Sequence, residues 1–219
     1  MVQPIALYTH GPTPNPVKVA IVLEELGLPW EAKHIEFPTE NKSEPYISVN
    51  PNGRVPSIED PNTGVNLFES GAIIEYLIDT YDKEHKLSYT TSPEKYLTQA
   101  WLHFQVSGQG PYFGQLSWFM NFHPEVCINH SADRYRNEIK RVTKVVDAHL
   151  KKHGKGALVG GKVTYADLAF LPWFRLVPFL MGDWDFKSEC PNFAEWFQSL
   201  LDREAVKKTL AMDEFQMKR

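Results

Sequence analysis

Four short polar clusters stand where the apolar runs of this chain begin or end, and each is of a type that binds or moves charge. Thr13-Pro14-Asn15-Pro16 precedes a run of helical spacing from Val17 to Leu26. Asn15 suits the N-cap of that helix and Pro16 its first position. Asn50-Pro51-Asn52-Gly53-Arg54 is a loop by chemistry, ends on a cation and leads into Val55-Pro56. Glu69-Ser70 precedes a third apolar helix, 71–81, with Ser70 at its cap. Thr164-Tyr165-Ala166-Asp167 is capping-box-like, with Asp in place of the usual Glu or Gln, and Val163 and Leu168 are placed for a hydrophobic staple. A helix N-terminus offers backbone donors and partial positive charge to an anion. Taken singly, each cluster is an ordinary cap or turn, so what they do depends on how they are assembled.

Other chemistries lack a sequence basis. No HExxH, CxxC or EF-hand pattern is present, so neither a structural nor a catalytic metal is expected. The two cysteines, Cys127 and Cys190, lie far apart and read as partly buried free thiols rather than a disulfide framework. The net charge of −4 and the absence of a Lys/Arg block argue against a nucleic-acid partner. No apolar run approaches the roughly 20 residues of a membrane span. The N-terminus has no basic n-region or signal core and enters a strand pattern at once, which reads as cytoplasmic.

The elements that must position these clusters can be traced along the chain. Its 219 residues suit two modest domains. Ile5 to Tyr8 is a short buried strand, and Trp30 to Phe37 a second; with the helix between them, ended by Gly27, they form a βαβ unit. After a polar stretch, 38–44, and a helical turn near Tyr46, Val55 to Glu59 and Val65 to Phe68 form a hairpin. Residues 1–82 therefore read as an α/β domain of order βαβ-ββα, and 83–92 as a linker. Strand signals then vanish, and 93–219 reads as an all-helical domain. It has a long aromatic-rich helix interrupted at Gly108-Gln109-Gly110-Pro111, an amphipathic helix over 130–153 and a last helix over 192–201, followed by a charged tail from Asp202.

This order of elements resembles the cytosolic glutathione transferase fold, a thioredoxin-like domain followed by an all-α one. Asn50-Pro51-Asn52-Gly53-Arg54-Val55-Pro56 is similar to the family's N-P-x-G-x-V-P loop, and Glu69-Ser70-Gly71-Ala72-Ile73 to its E-S-x-A-I helix start. Gly161, Thr164 and Asp167 match the capping box of its core helix. Together these motifs span nearly the whole chain. Thr13-Pro14-Asn15 further resembles the T-P-N segment of the nu class and of the fungal branch related to the yeast nitrogen-catabolite regulator.

The resemblance implies a role for each cluster. Glutathione reacts as its thiolate, and lowering a thiol pKa from about 8.5 by about two units takes about 2.7 kcal/mol. Asn15 would replace the hydroxyl or thiol of other classes. It would donate an amide N–H to the sulfur, with the helix N-terminus acting alongside it and Thr13 adding a hydroxyl. Val55-Pro56 is expected to be cis, with the Val55 backbone pairing to the cysteinyl unit as an added strand does. Ser70 would donate to the γ-glutamyl carboxylate and Glu69 would receive its ammonium. The glycyl carboxylate would fall to Arg54, with Asn41 and Lys42 as further candidates. Pro12, Tyr112, Phe113, Trp118 and Phe119 would line the electrophile pocket, between the Pro12 loop and the first helix of the second domain. Trp173 reads as structural.

The activity implied is transfer of glutathione to a small apolar electrophile, with peroxidase activity as an extension. Glutathione-dependent disulfide reduction is the alternative within enzymes, since nu-class relatives handle glutathione disulfide. A non-enzymatic regulator is the alternative outside them; the yeast regulator carries an Asn/Gln-rich extension, and this chain opens just ahead of its first strand. A translation-elongation-factor subunit would need a further C-terminal domain. The family also implies a homodimer, pairing the first domain of one subunit with the helical domain of the other.

Overall fold

A computed structural model describes residues 1–123, 129–154 and 156–217. Cys127 lies outside the described residues, whereas Cys190 is a free, buried thiol. The chain forms two compact units, Met1–Lys86 with Leu201–Arg219, and Leu87–Leu200.

In the first unit β1 (Ile5–Thr9), α1 (Pro14–Glu25) and β2 (Trp30–His34) make the expected βαβ unit. A 3₁₀ turn, Glu40–Lys42, and α2 (Tyr46–Val49) lead to β3 (Ser57–Asp60), β4 (Val65–Phe68) and α3 (Ser70–Tyr81). The sheet order is β2-β1-β3-β4. β1 pairs in parallel with β2, Leu7 opposite Ala32, and antiparallel with β3, Leu7 opposite Ile58. β3 and β4 form the hairpin, Ile58 opposite Leu67. Ile5, Leu7 and Ile58 are fully buried, as are Ile73, Ile74 and Leu77 on α3. Asp60, at the end of β3, receives the Tyr76 and Tyr81 hydroxyls at 2.6 and 2.5 Å, which ties α3 to the sheet.

Two caps differ from the sequence reading. α1 starts at Pro14, so Thr13 occupies its N-cap and Asn15 lies inside the first turn. A proline is as acceptable at the first helical position as at the third, because early N–H groups have no intrahelical partner. α3 starts at Ser70 itself, and Glu69 takes the cap position with φ 68°.

The second unit is helical. α4 (Glu94–Phe104) runs through a π turn, Gln105–Gln109, into α5 (Gly110–Asn121). The expected break is therefore a change of phase. A Cβ on Gly108 would stand 2.7 Å from the Phe104 ring, so a larger residue there would have to displace that ring. α6 (Asn129–His153), α7 (Tyr165–Phe174), the short α8 (Val177–Met181) and α9 (Phe186–Glu189), and α10 (Pro191–Leu201) complete it.

Every residue of α7 is buried. The capping box at its start is formed, with the Thr164 N–H and hydroxyl donating to Asp167 Oδ2 at 2.8 and 2.9 Å. Asp167 Oδ1 also accepts from Leu158 N–H and from Trp196 Nε1, at 2.8 and 2.9 Å. The box thus joins α7 to α10 as well as closing its own helix.

The tail departs most from expectation. Residues 201–219, read above as the end of the helical domain, belong with the first unit. α11 (Glu204–Ala211) packs on α1, and Asp213–Phe215 forms a 3₁₀ turn. Charged residues fasten it: Arg203 to Glu25, and Lys208 to Glu24 at 2.7 Å.

Candidate functional site

The loop from His10 to Thr13 and the first turn of α1 form one side of the site. Pro14 and Pro16 have no N–H, and the Val17 N–H is bonded to Thr13 C=O at 3.4 Å. Of the first four helical positions, only Asn15 and Val17 therefore carry a backbone N–H, and Asn15 is the nearer to the helix start. Its side-chain amide is the only other donor in that turn, and the residue is half-buried. The helix end supplies fewer backbone donors than a non-proline start would, which places more of the task on Asn15.

Thr13 has a different part from the one expected. Its single hydroxyl proton goes to His10 C=O at 3.1 Å, so it closes the loop on itself. Pro12 is exposed. Tyr8, the tyrosine nearest the loop, donates to Glu59 Oε2 at 2.7 Å. Burial and that carboxylate raise its pKa, which makes it a poor stabiliser of a thiolate.

The Asn50–Pro56 loop is held from beneath. Arg54 C=O accepts from the Tyr46 hydroxyl at 2.6 Å and from Asn50 Nδ2 at 2.5 Å. The Arg54 guanidinium is exposed and makes no ion pair among the described residues. The Val55-Pro56 bond is cis, as expected. Val55 is half-buried, and its N–H and C=O make no hydrogen bond to any described residue. They are thus open to an extended ligand.

Asn41 is corrected in part. It is buried, and its Nδ2 donates to Gly53 C=O at 2.9 Å, under a loop so close that a Cβ on Gly53 would sit 2.4 Å from Asn41 C=O. Its acceptor, Oδ1, has no hydrogen-bond partner among the described residues. Asn41 therefore supports the loop, and its other side-chain atom is a buried acceptor, which does not suit a carboxylate. Lys42 donates to Asn52 C=O at 3.0 Å, again within the loop.

Glu69 and Ser70 lie at the start of α3. Ser70 is buried, and its hydroxyl makes no hydrogen bond to a described residue; Glu69 is exposed. Beneath them the sequence reading missed Lys18, which sits on α1 one turn beyond Asn15 and is 1% exposed. Burial lowers its pKa to about 7, and the Glu69 carboxylate partly offsets this. The signal was present as a lone charge inside Val17-Lys18-Val19-Ala20-Ile21-Val22-Leu23, a run apolar all round.

The aromatic candidates separate. Phe113 is fully buried on the face of α5 that meets α7, 5.6 Å from the Phe174 ring and 6.4 Å from Trp173, and is a core residue rather than a pocket wall. Trp173 is likewise buried, as expected. Tyr112 and Phe119 are half-buried against Tyr135 of α6, at 6.3 and 5.6 Å. Trp118 is 44% exposed.

Comparison with known proteins shows the family to which these elements belong. The family model "Glutathione S-transferase, N-terminal domain" matches residues 3–79, and "Glutathione S-transferase, C-terminal domain" matches residues 113–204. The chain is 51% identical over 209 residues to the glutathione S-transferase-like protein OpS6 of Beauveria bassiana, covering 95% of each. The chain belongs to the glutathione S-transferase family.

Two solved structures from Phanerochaete chrysosporium are similar throughout. One is the glutathione transferase URE2P6 in complex with oxidized glutathione, 46% identical, with a TM-score of 0.88 and 94% of each chain covered. The other is Ure2p5 cocrystallized with 1-(S-glutathionyl)-2,4-dinitrobenzene, 35% identical, with a TM-score of 0.86, covering 96% of this chain and 94% of that one. The fold is thus the thioredoxin-like and all-helical pair of the family. Among the described residues no group of three or more His, Cys, Asp or Glu could hold a metal ion, and no helix is long and apolar enough to cross a membrane.

Proposed function

We propose that this chain is a glutathione transferase in which Asn15 stabilises the glutathione thiolate for attack on a small apolar electrophile. The observation that carries the reading is the first turn of α1, where two prolines leave Asn15 as the source of donors. A hydrogen bond to a charged group contributes about 1.5–3 kcal/mol, close to the 2.7 kcal/mol that a shift of about two pKa units takes. The open Val55 backbone takes the cysteinyl unit, Ser70 and Glu69 the γ-glutamyl end, and Arg54 the glycyl carboxylate. Asn41 acts by holding the loop that carries Arg54 and Val55. Trp118, Tyr112 and Phe119 remain the candidates for the electrophile wall, and Pro12 borders the loop. The relative cocrystallized with a glutathionyl dinitrobenzene supports an aryl electrophile. The family resemblance supports a cytoplasmic homodimer.

The test is glutathione-dependent turnover by the wild type and Asn15→Ala with an aryl halide, an isothiocyanate, a hydroperoxide and glutathione disulfide. The wild type is expected to conjugate the aryl halide, and Asn15→Ala to lose roughly ten- to hundredfold in kcat/KM while still binding glutathione. Glutathione binding by a wild type that turns over none of these substrates would overturn the enzymatic reading. Unchanged rates in Asn15→Ala would move thiolate stabilisation to other donors.

A further inference from the structure

We propose that Glu214 is a positioning residue for the thiol-activating loop, its carboxylate fixing the backbone between β1 and α1 from which Asn15 is presented. This rests on the role given to Asn15 above.

Phe215 anchors the C-terminal turn. Its side chain is fully buried, and its ring stacks on Trp30 at 6.2 Å, beside the start of β2. With Phe215 seated, Glu214 reaches the opposite end of the two parallel strands, β1 and β2. Its Oε1 accepts the Thr9 hydroxyl, at the last residue of β1, and the Gly11 N–H at 3.0 Å. The same oxygen lies 3.2 Å from Nδ1 of His34, the last residue of β2. One oxygen therefore gathers the ends of both parallel strands and the first turn of the loop that leaves them.

The rest of that loop is fixed in series. His10 Nδ1 meets Ile35 C=O at 2.8 Å, and Thr13 closes on His10 C=O at 3.1 Å. Gly11 has φ +56°, so its N–H is set by a conformation that few other residues adopt. Between Gly11 and Asn15 stand two prolines and Thr13, a stiff segment that transmits displacement rather than absorbing it. Burial works to raise the pKa of Glu214, but its bonds from Thr9, His34 and Gly11 outweigh this and keep it low, so the acceptor is a carboxylate in neutral solution.

A misplacement of about 1 Å in a catalytic group can cost on the order of a hundredfold in rate. Glu214→Asp withdraws the carboxylate by one methylene, Glu214→Gln keeps an acceptor oxygen of the same reach, and Glu214→Ala removes it. In the full-length protein, the titration of the bound glutathione thiol is followed by its ultraviolet thiolate absorbance, with kcat and KM for glutathione measured alongside. Asp and Ala are expected to raise the thiol pKa by about one unit and lower kcat roughly tenfold at a pH below the thiol pKa, with KM within about twofold. Gln is expected to stay close to wild type. Wild-type titration and turnover in a folded Asp variant would overturn the proposal, as would a Gln variant as impaired as Asp. If Ala does not fold, the Asp and Gln pair decides. Hydrogen exchange at the Gly11 amide, without glutathione, is the independent readout. Faster exchange in Asp than in Gln supports the latch even if the wild type proves inactive, and equal exchange overturns it.

Discussion

Arg203 grips both oxygens of the Glu25 carboxylate, with Nε 2.5 Å from Oε1 and Nη2 2.7 Å from Oε2. The two residues lie 178 positions apart in sequence, yet both belong to the first unit. The Glu25 side chain is 5% exposed and that of Arg203 29%. A paired fork of this kind is the strong form of ion pair, and breaking it from one side leaves a buried charge without its partner. Arg203→Ala is therefore expected to destabilise the fold by about 2–4 kcal/mol, the lower end reflecting solvent at the arginine. Glu25→Leu combined with Arg203→Met should lose much less than Arg203→Ala alone. Urea unfolding midpoints measure both, and a single mutant within about 0.5 kcal/mol of wild type would show that the pair does not hold the tail.

Lys18 makes stability depend on pH. Its pKa is about 7 in the folded chain against an ordinary 10.5, because burial penalises the ammonium more than Glu69 favours it. Between those values the unfolded chain keeps a proton that the folded chain has released, so stability rises with pH, by at most about 1.4 kcal/mol per unit. Below about 7 both states are protonated and the full cost of the buried charge is present. Lys18→Met is expected to stabilise the protein by about 1–4 kcal/mol at pH 6 and to flatten the rise toward pH 10. Denaturant unfolding of both proteins across that range decides it; parallel pH profiles would mean that Lys18 is solvated or fully compensated.

What could be read in the sequence follows a physical division. The strands, α3 and the α7 capping box were legible because their signals are local: alternation, turn residues and a Thr-x-x-Asp spacing. The position of Asn15 relative to the cap was not, since Pro14 and Pro16 both suit a helix start and only the fold chooses between them. The mixed fates of Asn41 and Phe113 were hidden for a related reason. A loop asparagine looks the same whether it faces a ligand or a carbonyl, and an aromatic on a helix does not announce which side meets the core. Least legible was the tail. Arg203, Lys208 and Glu214 read as solvated charge, and their partners, Glu25, Glu24 and Gly11, are among the first residues of the chain. Phe215, the one aromatic residue of the tail, was the available clue.

Ser70 and Arg54 should be separable from Asn15 by kinetics. Both present groups that make no hydrogen bond or ion pair to a described residue, and both stand away from the sulfur in the assignment made above: Ser70 at the γ-glutamyl end and Arg54 at the glycyl end. Their contacts to glutathione would be the same in the ground state and in the transition state, since charge develops at the sulfur and the electrophile. Uniform binding of that kind appears in KM and leaves kcat alone. Ser70→Ala is expected to raise the KM for glutathione about five- to thirtyfold, the equivalent of about 1–2 kcal/mol, with kcat within about twofold. Arg54→Ala should do the same, and added salt should narrow its difference from wild type because the guanidinium is exposed. Asn15→Ala should lower kcat instead. Initial rates over a range of glutathione concentrations separate the two patterns. A fall in kcat as large as that in kcat/KM for Ser70→Ala would place the hydroxyl at the reacting end and reverse the orientation of glutathione assigned here.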